Sequence, residues 1–214
     1  MGAGAPSQWP EPMSDKPAWM KPHGRPWKRG PERAVYDNPW MGVREYDAVA
    51  PTGRPANYGV VTFRNHAIAV LPLHDDGTVT LVGQNRFVFG DYSWEIPEGG
   101  SPVADDPLAG ARRELREETG LEAAHWRRVL TLQLSNSLTD ERAFGFLATG
   151  LTQAETSPDE TEDLAIVRVP FTEVLDAALA GHIEDALTVA MLLRLHHMAA
   201  KGELADDLAR LVLG

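Results

Sequence analysis

Three glutamates, Glu114, Glu117 and Glu118, stand close together in the chain. On a helix this i, i+3, i+4 spacing puts all three carboxylates on one face. Carboxylates held that close repel one another and, left alone, partly protonate. A divalent cation removes the conflict, and oxygen-only ligands favour a hard ion such as Mg²⁺ or Mn²⁺. The acids fall in the last turns before Gly120, where the helix dipole disfavours negative charge. Their placement therefore favours a ligand over helix stability. A solvated charged face is the ordinary reading of a run such as Arg112 to Glu118. What weighs against it here is the register of the surrounding residues, Gly99, Asp105, Arg113 and Gly120.

The carrier of these acids has clear limits in the sequence. Asp106-Pro107 makes a helix start, an N-cap acid followed by proline at the first helical position. Leu108, Ala111 and Leu115 recur at helical spacing and supply an apolar face. Gly120 suits the left-handed residue that ends the helix. Around it, segments 41–49, 57–63, 66–73, 78–86, 127–134, 142–150 and 163–169 read as strands, separated by turn signals such as Asp75-Asp76-Gly77. Helices are expected over 171–180, about 184–199 and about 203–212. The order predicts a mixed α/β or α+β domain over residues 35–214.

Residues 1–34 read differently. Seven of the sixteen prolines lie there, with Trp9, Trp19 and Trp27 and a local excess of Lys and Arg. With little periodicity, an irregular or disordered arm is expected, packing loosely on its own domain or meeting a partner. The 214 residues carry a net charge of −11, which argues against nucleic acid as a partner. No cysteine is present, so disulfides and a thiol nucleophile are excluded. No apolar run has the length of a membrane span, and the N-terminus lacks the apolar core of a signal peptide. The expectation is a cytoplasmic protein without a membrane partner. The histidines show no metal-ligand spacing.

Residues 99–121 read GGSPVADDPLAGARRELREETGL. They resemble the Nudix box, G-x5-E-x7-R-E-U-x-E-E-x-G-U with U apolar, and depart from it at Asp105, where the pattern has glutamate. The chain is thus similar to the Nudix hydrolases over roughly residues 35–200. The resemblance implies an α/β/α sandwich with a mixed sheet and a site built on Glu114, Glu117 and Glu118 as metal ligands. It counts Arg113 and Glu117 with the catalytic residues and makes Asp105 a structural partner of Arg113. Ser93 to Gly100, with its Glu95-Ile96-Pro97-Glu98-Gly99, resembles the lead-in of the members that cleave ADP-ribose and other nucleoside diphosphate sugars. In that subgroup the carbonyl before the box glycine ligates metal, which points to the main chain of Glu98.

Further roles follow from the same resemblance. Gln84-Asn85-Arg86 is similar to the Q-x-R whose arginine meets the diphosphate, a role suited to a planar charged fork. The acidic stretch 159–163 implies a further metal ligand or catalytic base, Glu162 before Glu160, with a solvated loop as the alternative. Trp40 lies where related dimers stack an aromatic on the base, the alternative being a buried tryptophan. Asp185 reads as structural, near a helix start. ADP-ribose pyrophosphatases usually carry a proline some sixteen residues after the box. Here Ser135 to Glu141 contains none, which shifts the expectation toward general nucleoside diphosphate sugars. The expected reaction is Mg²⁺-dependent hydrolysis of their diphosphate bond to a nucleoside monophosphate and a sugar phosphate, by a homodimer. Dinucleoside polyphosphates or nucleoside triphosphates are the alternative substrates, and a nucleotide-sensing module is the non-catalytic alternative.

Overall fold

The computed structural model describes residues 16–154 and 163–214. These divide into two compact units, one of residues up to Phe63 with Ser137–Asp140, the other of Arg64–Asn136 with Glu141–Gly214.

The first unit is a three-stranded antiparallel sheet in the order β1-β2-β3, with β1 at Lys28–Asp37, β2 at Met41–Val49 and β3 at Pro55–Phe63. Strand β1 begins at Lys28, within residues 1–34, and the first unit runs on to Phe63. All ten residues of β1 are exposed, so no hydrophobic alternation marks it. The backbone ladder to β2 holds it instead, flanked by cross-strand polar pairs. Arg33 pairs with Glu45 at 2.6 Å, Arg44 with Asp37 at 2.6 Å, and the Tyr46 hydroxyl donates to Glu32 at 2.9 Å. Pro31 falls at a register shift, where a missing N–H does not break the ladder.

The second unit contains the remaining strands and all the helices. Strand β4 (Asn65–Pro72) is the hub of the sheet β7-β4-β9-β8, in which β7 is Glu98–Pro102, β8 is Leu121–Gln133 and β9 is Arg142–Gln153. Strands β4 and β9 run parallel and the other pairs are antiparallel, so the sheet is mixed as expected. A second sheet orders β10-β5-β6, with β5 at Thr78–Arg86, β6 at Asp91–Glu95 and β10 at Ala165–Pro170.

Alternation along β4 sorts the helices onto two faces. Ala69, Leu71 and Leu73 enter one core with Phe171 and Leu175 of α2 (Phe171–Leu179), Met191, Leu192 and Leu195 of α3 (Ala186–Ala200) and Val212 of α4 (Asp206–Leu213). Ile68 and Val70 point the other way, and Ile68 lies under Gly110 of α1 (Pro107–Thr119). This makes the α/β/α sandwich. Ile68, Leu71, Met191 and Leu195 are fully shielded, each contributing roughly 1.5–3 kcal/mol of burial free energy. No helix among the described residues is long and apolar enough to cross a membrane.

Candidate functional site

Helix α1 begins and ends where its sequence dictates. The Asp106 side chain accepts from the Leu108 N–H at 3.1 Å, Pro107 opens the first turn, and Gly120 closes the helix at φ 66° with its N–H on the Arg116 carbonyl. Ala111 and Leu115 fix the buried face, and this rotates the glutamates into defined positions. Glu114 and Glu118 are nearly fully buried, at 7% and 4% exposure, while Glu117 sits at the rim. Arg113 spans the group, donating to Glu117 at 2.7 Å, to Glu114 at 2.6 Å and to the Gly100 carbonyl at 2.6 Å.

Strand β7 lies against this helix and explains its glycine. A Cβ built on Gly99 would stand 2.2 Å from Cδ of Glu114, so only glycine leaves room for that carboxylate. One residue earlier, the Glu98 N–H donates to Oε2 of Glu118 at 3.1 Å, which ties the lead-in main chain to the box. The lead-in is fixed elsewhere too. The Val70 N–H donates to the Pro97 carbonyl at 2.8 Å, and the Ile96 N–H to Oγ1 of Thr188 at 3.0 Å.

Across the lead-in stands Arg86. Its Nε meets both oxygens of buried Glu95 at 2.9 and 3.0 Å, and its Nη2 also pairs with Glu95 and Glu98. The Glu95 hydrogen bonds hold the Arg86 guanidinium charged beyond its ordinary range. Its Nη1 has no partner among the described residues and keeps two donors for a ligand. Burial, then the charges of Asp185 and Glu95, push the Glu98 carboxyl well above its usual range. Oε2 of Glu98 is buried without a hydrogen-bond partner among the described residues. Carboxylate oxygens of Glu95, Glu98 and Asp185 lie within 4.8 Å of one another. Arg86, Glu98, Asp185 and Glu141 line a cavity of about 260 Å³, together with Gly99 and Leu134. A second, larger cavity of about 560 Å³ runs over the outer side of α1, past Arg112, Arg113, Arg116 and Glu117 to Trp126.

The structure thus brings together Arg86, the Glu98 main chain, Arg113, Glu114, Glu117 and Glu118 in one region of the second unit. Glu162 and Glu160 lie outside the described residues. Trp40 belongs to the first unit, in the hairpin between β1 and β2, where its N–H donates to Oδ1 of Asn38 at 2.8 Å. At 69% exposure it is not an ordinary buried tryptophan. The expected Asp105–Arg113 partnership is corrected. Among the described residues Arg113 is satisfied by Glu114, Glu117 and Gly100, while the Asp105 N–H turns back to the Pro102 carbonyl at 2.9 Å. Aspartate is one methylene short of glutamate, and α1 itself supplies the acids that Arg113 needs.

Three residues were missed. Glu95 holds Arg86, and Glu141 lines the smaller cavity. Asp185 caps α3, as its position suggested, accepting from the Thr188 N–H at 2.7 Å, but it also faces the same cavity. For Glu95 its place in the lead-in Glu95-Ile96-Pro97-Glu98-Gly99 was a usable signal. For Glu141 there was none.

By donor type the box carboxylates suit a hard divalent cation, while among the described residues the carboxylate oxygens that converge within 4.8 Å are those of Glu95, Glu98 and Asp185. Two nearly buried carboxylates on one helix face, a third at the rim and a main-chain segment pinned beside them offer oxygen ligands alone.

The NUDIX domain family model matches residues 63–190. The ADP-ribose pyrophosphatase of Mycobacterium tuberculosis is 33% identical over 133 residues, 61% of this chain. The match spans 64% of that relative, just under two thirds of its length. The ADP-ribose pyrophosphatase of Bacillus subtilis is 30% identical over 66% of this chain and 77% of its own. A GDP-mannose pyrophosphatase of Citrobacter koseri is 31% identical over 62% of this chain and 73% of its own. Among solved structures, an ADP compounds hydrolase superposes with a TM-score of 0.76, covering 86% of this chain and 100% of that one. At 19% identity that likeness speaks for the fold alone.

Proposed function

This chain belongs to the NUDIX domain family, and we propose that it hydrolyses the diphosphate bond of nucleoside diphosphate sugars, releasing a nucleoside monophosphate and a sugar phosphate. The observation that carries the reading is the tether between the Glu98 N–H and the Glu118 carboxylate, which sets the lead-in main chain beside the box glutamates. The named activities of the relatives, on ADP-ribose and on GDP-mannose, agree with it.

Glu114, Glu117, Glu118 and the Glu98 carbonyl would hold Mg²⁺, or Mn²⁺ in its place, and the ion when bound supplies charge neutralisation at the diphosphate. Arg86, fixed by Glu95, offers the free side of its fork to a phosphate oxygen. Arg113 keeps Glu114 and Glu117 in position. Glu162 is the proposed base for the attacking water, and Trp40 the proposed stacking surface for the base. A homodimer belongs to the same reading, supported by the exposed Trp27, Val35 and Tyr36 on and next to strand β1. An enzyme without a nucleic-acid partner is likewise proposed, on the net charge of −11.

The test is product analysis by mass spectrometry after incubation with Mg²⁺ in ¹⁸O-water. The panel holds ADP-ribose, ADP-glucose, GDP-mannose, a dinucleoside polyphosphate and nucleoside triphosphates. Labelled monophosphate or sugar phosphate from the sugars is expected. Intact sugars beside another cleaved compound would overturn the substrate class, and an intact panel would overturn the activity. In the same assay Glu118→Gln is expected to lower turnover by about a hundredfold or more.

A further inference from the structure

The larger cavity on the outer side of α1 shares Arg113 and Glu117 with the reaction proposed above, but Arg112, Arg116 and Trp126 have no part in it. Its volume of about 560 Å³ is in the range of small-molecule sites. Arg112 and Arg116 stand on its wall one helical turn apart, a like-charge spacing that weakens a helix unless an anion lies between. Arg112 makes no hydrogen bond or ion pair among the described residues. Arg116 has only Glu122, at 3.6 Å, with both side chains more than half exposed, a pair of little energetic weight. Glu117 and Glu122 line the cavity too, but Glu117 is held by Arg113 at 2.7 Å, which leaves Arg112 and the weakly paired Arg116 as its available cations.

Trp126 closes the other side of the cavity. Its indole N–H is committed to the Ala123 carbonyl at 3.1 Å, and the ring packs edge-on to Phe146. What it presents to a ligand is therefore apolar ring surface rather than a donor. Guanidinium groups suit a phosphate in a planar, multidentate way, and an aromatic face suits a nucleobase. Sugars lack the charge for the one and the flat ring for the other.

We propose that this cavity is a second nucleotide site, in which Arg112 and Arg116 hold the phosphate of a nucleoside monophosphate group and Trp126 carries its base. The group has two possible sources, a free nucleotide or the far end of a substrate containing two nucleosides. Arg113 and Glu117 line the cavity as well as belonging to the box, so either ligand adjoins the catalytic helix. The site itself does not depend on the hydrolase reading. Only the choice between the two sources does.

The test begins with calorimetric titration of the full-length protein in EDTA with AMP, adenosine and inorganic phosphate. AMP is expected to bind more tightly than either part. Arg112→Ala/Arg116→Ala is expected to weaken AMP and phosphate by tenfold or more, the scale of charge-assisted bonds lost at a partly exposed site. Trp126→Leu is expected to weaken AMP and adenosine but not phosphate. The arginines are exposed and should not disturb folding, which circular dichroism checks. AMP binding that is absent, or unchanged in the double variant, overturns the proposal. Kinetics then separate the sources. A raised KM of the double variant for diadenosine tetraphosphate, with that for ADP-ribose unmoved, marks the substrate's far end. Loss of an AMP effect on rate, with both KM values unmoved, marks a free nucleotide. A protein that cuts nothing but binds AMP through Arg112 and Arg116 would refute the hydrolase reading and sustain this one.

Discussion

Replacing Gly99 by alanine should separate function from stability at this site. The added Cβ would lie 2.2 Å from Cδ of Glu114 and 2.3 and 2.4 Å from its oxygens. Ordinary carbon contacts begin near 3.5 Å, so the carboxylate must retreat by roughly 1 Å or more. Metal ligands tolerate displacements of only about 0.2 Å, so a retreat of that size removes Glu114 from any ion shared with Glu118. We expect a fall in kcat/KM of about a hundredfold, equivalent to about 2.7 kcal/mol of transition-state stabilisation. The cost in stability is smaller, because what must move is the end of a flexible side chain. Overpacking costs about 1 kcal/mol at its lower limit, partly offset by the reduced entropy of the unfolded chain. The melting temperature should therefore shift by no more than about 4 °C. The assays are steady-state hydrolysis across a Mg²⁺ series and thermal melting of the metal-free protein. Gly110→Ala is the contrasting control. Its Cβ would stand 2.6 Å from the buried Ser101 Cβ, costing about 1–3 kcal/mol while turnover per folded molecule persists. Unchanged turnover and Mg²⁺ dependence in Gly99→Ala would refute the reasoning, and so would a variant that fails to fold.

Three other outcomes are expected. Arg86→Ala leaves the Glu95 carboxylate, 3% exposed, without its partner, which costs about 3 kcal/mol and should lower the melting temperature by about 6–12 °C. An unaltered melt would show that Glu95 finds another partner. Because the folded state raises the Glu98 carboxyl above its unfolded value, Glu98 is most compatible with folding at low pH, and stability declines as pH rises through the ordinary carboxylate range. Glu98→Gln should then melt higher than wild type in EDTA at pH 8, the advantage vanishing toward about pH 4, and a gap independent of pH would count against it. Asp106→Ala removes the side-chain cap on Leu108 and should cost about 1 kcal/mol by urea denaturation. No change would mean that Pro107 alone sets the helix start.

What could be read from the sequence was local. Helix α1 was legible because its cap, apolar face, acids and terminating glycine all lie within one run of residues, and i, i+4 geometry needs no distant partner. Strands β2 and β5 were legible from half-buried or buried apolar runs. Strand β1 was not, because every residue of it is exposed and its backbone ladder to β2, rather than burial, holds it. Strand β7 was read only as part of the lead-in, since Glu98-Gly99-Gly100 has little intrinsic preference for a strand. Pairing with β4 decides its conformation, and Glu114 decides its glycine.

Glu98 shows where such reading ends. The resemblance of the lead-in points to its main chain, whose N–H meets the Glu118 carboxylate. Its side chain acquires meaning only from Arg86 on β5, Glu95 on β6 and Asp185 at the start of α3. Asp185 comes 87 positions after Glu98 in the chain and was visible only as a helix cap. The hydrogen bond from the Ile96 N–H to Oγ1 of Thr188 ties the lead-in to the start of α3 and so brings the two together. Catalytic carboxylates on a single helix can therefore be inferred from spacing, whereas the cavity beside them is assembled from elements whose relation no local spacing encodes. That difference is why the type of chemistry emerged from the box, whereas Asp185 and Glu141 meet in the smaller cavity only once the chain has folded.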